Sequence, residues 1–389
     1  MARAYLAPYG VGLGHASRLL SISEYLKDDY VTMRFSSYGE AVSYISNQGY
    51  ECVEVPPIEF AWNNGGFSIK NSISNIPLWF TNFTRQIAQE TRNISSFNPN
   101  LVISDSRLSP IISSKTLGIP SIVILNQIKL LLSPRIREFK LARIFEKLNG
   151  EFFGTLWSLS EKLLIPDLPP PYTIAEHNIW NLESVKKKIR YIGFTTAKWN
   201  GDQQAMNNVL HSLNLERSKP IIFIHISGPY ETRLNLISTI IESTRYFRKD
   251  IQYIISEGRP NGSTVPRKLS STGWYYEWCP VRDEIFALSD LIVIRGGHAA
   301  ISHAIEHGKP MVTIPIQNHG EQLGNSEKVE RMKIGIRLEP SKTNAEQIAQ
   351  AIHKILDDKS YMQNVEKLKK LSDNHDGIKN ALEIIRSFL

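Results

Sequence analysis

Residues 291–315 read LIVIRGGHAAISHAIEHGKPMVTIP, and the fold can be predicted from this stretch. Segments 291–294 and 311–314 are short apolar runs of the kind that forms buried parallel strands. Two glycines end the first run, and a helical segment joins it to the second. A strand, helix and strand in this order predict an α/β domain with a parallel sheet.

The same alternation occurs along the whole chain. Predicted strands are 3–7, 31–36, 51–55, 101–104, 121–125, 221–226, 252–255, 291–294 and 311–314, and predicted helices include 17–27 and 78–96. Between the halves, 168–190 is proline-rich and then basic, which is typical of an interdomain linker. We therefore predict two doubly wound α/β domains, at 1–167 and 191–389.

The composition narrows the class of protein. The 389 residues carry a net charge of +7, which suits phosphate-bearing ligands or an anionic membrane surface. Only two cysteines occur, Cys52 and Cys279, so we expect a reducing, cytoplasmic location. No apolar run approaches the roughly 20 residues of a membrane-spanning helix. Because zinc-ligand spacing and RNA-binding signatures are missing from the sequence, no nucleic-acid partner is expected.

The stretch APYGVGLGHASR at 7–18 places glycines at 10, 12 and 14 directly after the first predicted strand. A dinucleotide-binding loop reads G-x-G-x-x-G and has an acidic residue after the second strand, and neither feature occurs here. The pattern predicts a tight turn at the carboxyl end of the strand, with His15 at a ligand site. Alternatively, Gly14 only permits the turn and His15 caps the following helix.

Two turns in the second half indicate a phosphate site. The glycines at 296 and 297 follow a strand and precede a helix, so backbone amides at the helix start can face an anion. The turn at 226–229 supplies a second set of amides. The alternative is that both are ordinary turns.

The motifs resemble those of GT-B glycosyltransferases, as found in plant secondary-product enzymes and in the lipid-intermediate N-acetylglucosaminyltransferase of peptidoglycan synthesis. The matching elements are Trp278-Cys279-Pro280, the glycine pair, His307-Gly308-Lys309-Pro310 and Glu321-Gln322, with G-x-G-H-x-x-R at 12–18. The resemblance implies two Rossmann-like domains facing a central cleft. The acceptor is expected on the first domain and a nucleotide-sugar donor, UDP-linked, on the second.

For catalysis, the resemblance implies that His15 is the general base toward an acceptor hydroxyl and that Asp105 orients it. An imidazole accepts a proton at neutral pH, and a carboxylate partner fixes its tautomer. Attack opposite the leaving diphosphate inverts the anomeric carbon. The sequence has no D-x-D pair for a divalent cation. We therefore expect a metal-independent reaction without a cofactor, in which amides, helix dipoles and Arg295 stabilise the leaving group.

On the donor side, the resemblance implies that Trp278 stacks on the nucleotide base and that Glu321 and Gln322 hold sugar hydroxyls. The other implied contacts to the nucleotide sugar are Gly14, Ser227, Gly228, Cys279, Arg295, Gly296, Gly297, His298 and His303.

Two positions depart from the family pattern. Val281 stands where a glutamine normally follows the W-x-P element, and His303 replaces the glutamate that usually binds the ribose. An imidazole lacks the bidentate grip of a carboxylate on two hydroxyls. Asp283 or Glu284 is a candidate substitute, and the identity of the nucleotide stays open.

Two segments are candidates for the acceptor side. At 133–153, apolar residues recur at helical spacing among arginines and lysines: Leu141, Ile144, Phe145, Leu148 and Phe152. Such a helix either packs on its own domain or binds an anionic membrane surface, with a lipid-linked glycan acceptor and a peripheral location on the inner face of the membrane. The loop 59–75, which contains Trp62 and Phe67, is the second candidate.

Three activities follow from these observations. The first is glycosyl transfer to an acceptor hydroxyl. The second is nucleotide-sugar hydrolysis, because the G-x-G-H-x-x-R element also resembles that of a sugar-pathway hydrolase of the same fold. The third is binding without catalysis, which the changes at Val281 and His303 motivate and the presence of His15 and Asp105 opposes.

Overall fold

The chain forms two compact units. The computed structural model describes residues 2–58, 62–63, 66–67, 76–129, 131–132, 137–179, 182–196, 199, 201–228, 230–259 and 261–389, with only the backbone described at 62–63, 66–67, 76 and 230–231. The first unit comprises Met1–Ala61, Ser68–Ala197 and His375–Leu389, and the second comprises Trp62–Phe67 and Lys198–Asn374.

The strands alternate with helices along the described chain. The strands are β1 Arg3–Pro8, β2 Thr32–Ser37, β3 Cys52–Glu54, β4 Trp62–Asn63, β5 Gly66–Phe67, β6 Leu101–Asp105, β7 Ser121–Ile124, β8 Lys162–Ile165, β9 Ile189–Tyr191, β10 Ile221–His225, β11 Gln252–Ser256, β12 Arg267–Lys268, β13 Gly273–Tyr276, β14 Leu291–Ile294, β15 Met311–Thr313 and β16 Gly335–Arg337. Each of the nine predicted strands is confirmed to within one residue at either end.

The helices cover both predicted helical segments. They are α1 Gly14–Asp28, α2 Glu40–Ser46, α3 Ile76–Phe97, α4 Ser109–Thr116, α5 Lys140–Trp157, α6 Glu176–Ile179, α7 Gln203–Ser212, α8 Tyr230–Ser243, α9 Arg282–Leu288, α10 His298–Glu306, α11 Gly320–Arg331, α12 Ala345–Asp357, α13 Lys359–Asp373 and α14 Gly377–Arg386. Within the described ranges, none of them combines the length and the apolar composition that a membrane span requires.

The first unit is built on a parallel sheet in the order β3-β2-β1-β6-β7-β8-β9. Its central strands β1 and β6 are almost wholly buried, as expected for strands covered by helices on both faces. From β1 the chain runs outward to β2 and β3, and it then returns to the other side of β1 at β6. The winding direction therefore changes between β1 and β6.

The second unit repeats this plan in the order β12-β13-β11-β10-β14-β15-β16. All pairings are parallel except that of the edge strand β12 with β13. Its winding direction changes between β10 and β14, and β4 and β5 form a separate antiparallel pair. Both units are thus doubly wound α/β structures, as predicted.

The structure does not support the predicted linker at 168–190, because that stretch belongs to the first unit. The buried carboxylate of Asp167 accepts hydrogen bonds from the backbone N–H groups of Leu168, Ile174 and Ala175 at 2.8, 3.1 and 2.8 Å. These hydrogen bonds satisfy backbone N–H groups at 168–175, where the chain forms neither helix nor strand. The stretch then enters β9, the edge strand of the first sheet.

The end of the predicted second domain, 191–389, also belongs to the first unit. Helix α14 buries an apolar stripe in the core beside Leu19 and Phe35. The stripe consists of Ile378, Ala381, Leu382 and Ile385. At the start of α14 a Cβ on Gly377 would lie 2.1 Å from the carbonyl oxygen of Phe194, so a glycine is required there.

Candidate active site

The first candidate site lies where the winding direction of the first sheet changes. Strands β1 and β6 are adjacent, and Pro8 is opposite Asp105 in their register. Open α/β sheets bind ligands outside the carboxyl ends of strands at such a point. His15 follows β1 in the first turn of α1, and Asp105 ends β6, so both predicted catalytic residues lie at this edge.

The structure brings His15 and Asp105 together. His15 Nδ1 lies 2.7 Å from Asp105 Oδ1, and the carboxylate is fully buried while the His15 side chain is 24% exposed. A carboxylate only accepts hydrogen bonds, so Nδ1 is the donor, and in the neutral imidazole Nε2 is then the acceptor. The pair therefore holds an imidazole in the tautomer that accepts a proton at Nε2. His15 does not cap α1, whose N-cap residue is Leu13.

Two residues that sequence reasoning did not assign complete the surroundings of the carboxylate. Arg18 is buried, and its Nη1 lies 3.2 Å from Asp105 Oδ2. Ser106 donates its hydroxyl to Asp105 Oδ1 at 3.1 Å and has a φ of 60°, an uncommon value for a residue other than glycine. The H-x-x-R spacing, which places His15 and Arg18 on one face of α1, was the available signal.

The glycine-rich turn fits closely against the rest of the site. A Cβ on Gly10 would lie 2.2 Å from the carbonyl oxygen of Tyr38, and Gly12 has a φ of 72°. The ring of Tyr9 contacts His15 edge to face at a centroid distance of 5.6 Å. Gly14 is the first residue of α1, and its predicted contact with the nucleotide sugar stays a prediction.

The second candidate site lies at the corresponding point of the second sheet, between β10 and β14. Ser227 and Gly228 follow β10, and the 295–297 turn follows β14. Gly228 and Gly296 have φ values of 119° and 81°, so each requires glycine. A Cβ on Gly296 would also lie 2.3 Å from Ser326 Oγ.

The helix after this turn, α10, begins without a side-chain cap, because its N-cap residue is Gly297. A Cβ on Gly297 would meet no described atom within 4 Å, so the helix start faces open space. Uncapped amides and the helix dipole favour an anion there. His298, the first residue of α10, is buried.

Arg295 supplies positive charge to this site. It is 5% exposed, and its Nη1 donates to the carbonyl oxygen of Thr232 at 2.8 Å. Burial and the neighbouring charge of Arg233 lower the pKa of Arg295 to about 10. In the part of the chain that the structure describes, no carboxylate pairs with Arg295, and its Nε has no hydrogen-bond partner. A buried cation of this kind favours an anionic ligand.

Trp278 and Cys279 follow β13, whose carboxyl end lies on the same edge as those of β10 and β14. Trp278 is half-buried, and its backbone N–H donates to the carbonyl oxygen of Ser263 at 3.1 Å. Cys279 is buried, which raises the pKa of its thiol to about 12. Both predicted base contacts thus lie along the ligand edge of the second sheet.

Glu321 and Gln322 lie in the first turn of α11, which follows β15. Gln322 Oε1 accepts a hydrogen bond from the N–H of Ile316 at 2.9 Å, so this oxygen holds the preceding loop. The amide NH2 of Gln322 is the group that can contact a sugar. Their roles in sugar binding stay predictions.

At the predicted ribose position, His303 is paired with Asp283. His303 Nε2 lies 3.2 Å from Asp283 Oδ1, and the ring contacts that of Phe286 at a centroid distance of 4.3 Å. Burial lowers the pKa of His303 despite the carboxylate. Against the effect of its own partial burial, the contacts with His303 and Arg282 hold the pKa of Asp283 well below its usual range. Burial thus favours the neutral form of His303, and the contacts with His303 and Arg282 favour the ionised form of Asp283.

The predicted acceptor segments are only partly described. Residues 133–136 of the segment 133–153 and most of the loop 59–75, with the side chains of Trp62 and Phe67, lie outside the described residues. Of the remainder, α5 exposes the apolar stripe that was expected either to pack on its own domain or to bind a membrane. Among the described residues, the stripe is therefore not part of the core of its own domain.

Comparisons of sequence place the chain among glycosyltransferases. The glycosyltransferase family 28 C-terminal domain matches residues 232–381. The chain is 26% identical over 387 residues to an uncharacterised glycosyltransferase of Methanosarcina acetivorans, covering 97% of this chain and 96% of the relative. It is 38% identical over 86 residues to human UDP-glucuronosyltransferase 3A2, covering 22% of this chain and 16% of the relative.

Solved structures agree on the fold. The glycosyltransferase of kitacinnamycin has a TM-score of 0.70 at 16% identity, covering 100% of this chain and 99% of that one. A Streptomyces glycosyltransferase complexed with thymidine diphosphate has a TM-score of 0.66 at 15% identity, covering 100% of both chains. The protein is therefore a glycosyltransferase with the GT-B fold, and its residues 232–381 match the family 28 C-terminal domain.

Proposed function

We propose that this glycosyltransferase moves a hexose or an N-acetylhexosamine from a UDP-linked sugar to an acceptor hydroxyl, with inversion and without a metal ion. The observation that carries the proposal is the His15–Asp105 pair, in which a buried carboxylate holds a partly exposed imidazole at 2.7 Å. This arrangement supplies a general base where the first sheet changes its winding direction.

In the proposed reaction, Nε2 of His15 takes the proton of the acceptor hydroxyl. The hydroxyl oxygen forms a bond to the anomeric carbon while the bond from that carbon to the diphosphate breaks. The nucleoside diphosphate leaves with the electron pair of the broken bond, and the imidazolium later returns its proton to water. Attack from the face opposite the leaving group inverts the anomeric centre.

The second unit is proposed to bind the donor diphosphate. The support is the buried Arg295 together with the uncapped start of α10 and the amides at Ser227 and Gly228. These groups stabilise the negative charge that grows on the leaving diphosphate. Metal independence is proposed because this fixed positive charge supplies a role that a divalent cation otherwise plays.

The base of the donor is proposed to be uracil, and the acceptor is proposed to be a lipid-linked glycan. The match to a human UDP-glucuronosyltransferase supports uracil, whereas two structural relatives are complexed with thymidine diphosphate. The lipid-linked acceptor, at the inner face of a membrane, is proposed from the motif resemblance to the peptidoglycan enzyme.

The proposal is tested with a panel of UDP- and TDP-sugars in EDTA, with and without a crude lipid extract, by following release of nucleoside diphosphate. We expect release from a UDP-sugar that depends on the extract and needs no added Mg²⁺. Equal release without extract, with free sugar as the product, would identify a hydrolase and contradict the transfer. Binding of the nucleotide with no release from any donor would contradict catalysis altogether.

A further inference from the structure

Helix α5 packs on the first unit through its small residues. Ala142, Gly150 and Gly154 are buried on one face together with Trp157. A Cβ on Gly150 would lie 2.7 Å from Leu182 Cδ2, and one on Gly154 would lie 2.2 Å from Ser184 Oγ. The backbone of α5 therefore lies directly against the segment 182–185.

The large apolar side chains of α5 point the other way. They are Leu141, Ile144, Phe145, Leu148 and Phe152, with exposed fractions of 79, 46, 52, 65 and 62%. Their spacing places them on one face of the helix, and an ordinary surface helix turns such a face toward the core. An exposed apolar face of this extent indicates a binding surface.

The exposed charges on α5 all have one sign. Lys140, Arg143 and Lys147 are exposed, whereas both acidic residues of the helix are engaged inward. Glu146 pairs with Arg137 at 3.0 Å and is buried. Glu151 accepts hydrogen bonds from two backbone N–H groups of the 183–184 turn at 3.0 Å each. Exposed carboxylates next to the helix are Glu138, just before it, and Glu183, on that turn, where Glu183 pairs with Lys186.

We propose that α5 lies flat on an anionic lipid surface, with its apolar side chains inserted among the lipids and its cations at the headgroups. Aromatic and leucine side chains beside lysine and arginine are the composition of a helix that binds in the plane of the interface. A second copy of the chain fits less well, because two-fold pairing of this face brings like charges together. The proposal does not depend on the donor or on the acceptor.

Flotation of the full chain with vesicles tests the proposal. Vesicles of phosphatidylcholine with phosphatidylglycerol are expected to carry the protein, and vesicles of phosphatidylcholine alone are expected to carry much less. Added salt should reduce binding to the anionic vesicles, because it screens the headgroup charge. Absence of binding to the anionic vesicles overturns the proposal.

Two variants test each component of the surface. Phe145→Ser/Leu148→Ser removes apolar contacts, and Arg143→Glu/Lys147→Glu reverses two charges; each should lower vesicle binding about tenfold or more. Since all four side chains are exposed, the variants should fold, which a thermal melt checks. The matched control is Lys27→Glu/Lys115→Glu, which makes the same change of charge at exposed lysines of this unit that lie neither on α5 nor on the segment packed against it.

The outcomes separate the alternatives. Retained binding in both α5 variants, or an equal loss in the control, overturns the assignment to this helix. A wild-type dimer that becomes monomeric in Phe145→Ser/Leu148→Ser, with no vesicle binding, would instead identify the face as an interface between copies of the chain.

Discussion

Each unit contains a histidine–aspartate pair, and the two pairs are buried in opposite senses. In the first unit Asp105 is fully buried and the His15 side chain is 24% exposed. In the second unit the His303 side chain is 9% exposed and that of Asp283 is 39% exposed. Only the exposed member can meet a ligand. The first pair therefore offers an imidazole, and the second offers a carboxylate.

The surroundings, and not the residue types, therefore set the chemistry of such a pair. Burial lowers the pKa of His303, so this imidazole is a poor proton acceptor. Its Nε2 instead lies against the carboxylate of Asp283. His15 has one nitrogen committed to a buried partner and the other turned outward. It is the imidazole that is suited to general-base catalysis.

The strongest test of this comparison replaces each histidine in turn. We expect His15→Ala to lower kcat by about 10² to 10⁴ while the Kd for UDP stays nearly unchanged, because only proton transfer is lost. His303→Ala should instead weaken UDP binding more than it lowers kcat. Steady-state kinetics and calorimetric titration of UDP measure the two effects. Equal losses of kcat and affinity in His15→Ala would mean that His15 is structural.

The buried imidazoles of the second unit also predict an acid sensitivity. Burial lowers the pKa of His225 and His307 to about 3 and that of His303 in the same direction. In the unfolded chain these histidines take up protons near pH 6.5, whereas in the folded unit they do not. Their contribution to the free energy of unfolding is therefore fully present above about pH 6.5 and is lost as the pH falls below it.

The expected loss is about 1.4 kcal/mol per histidine and per pH unit below about 6.5. Urea unfolding followed by circular dichroism at a series of pH values measures this slope. His225→Asn should make it shallower, because the replacement takes up no proton. A slope that is the same in wild type and His225→Asn would contradict the assignment for that residue.

Within the first pair, Arg18 is a positioning residue that acts through Asp105. We expect Arg18→Met to lower kcat about tenfold, since the carboxylate loses a charged partner at 3.2 Å. Arg18→Lys should recover part of the rate, and the KM for the donor should change little in either variant. Loss of rate with equal loss of thermal stability in both variants would indicate a role in folding only.

The smallest expected effect concerns the second pair. If Asp283 accepts a hydrogen bond from a ribose hydroxyl, Asp283→Asn should raise the Kd for UDP severalfold, roughly 1 kcal/mol. The same change should alter the Kd for 2′-deoxy-UDP less. Competition titration with both nucleotides measures the difference. An equal change for the two ligands would show that Asp283 does not contact the 2′ hydroxyl.

The His15–Asp105 pair could be predicted from sequence because its members lie at the ends of strongly apolar strands. His15 comes after β1 and Asp105 ends β6, and the ends of adjacent parallel strands meet at one edge. Arg18 could not be assigned in the same way. It reaches a carboxylate 87 residues away along the chain, and that contact exists only once β6 lies beside β1.

Sequence composition was misleading or insufficient where it did not reveal which part of the protein a segment packs against. The prolines of 168–190 suggested an exposed linker, but Asp167 satisfies that backbone inside the first unit. For α5, periodicity identified the apolar stripe, yet it could not say which face packs. The small residues Ala142, Gly150 and Gly154 were the signal, because close backbone contact requires them.

The return of α14 to the first unit has a consequence for synthesis on the ribosome. The surface around Leu19 and Phe35 is made early, but its cover at 378–385 is made after the whole of 198–374. At about 5 to 20 residues per second, synthesis of 198–374 alone takes roughly 10 to 40 s. The unit that is begun first is thus completed last, and its uncovered apolar surface is a natural target for chaperones during translation.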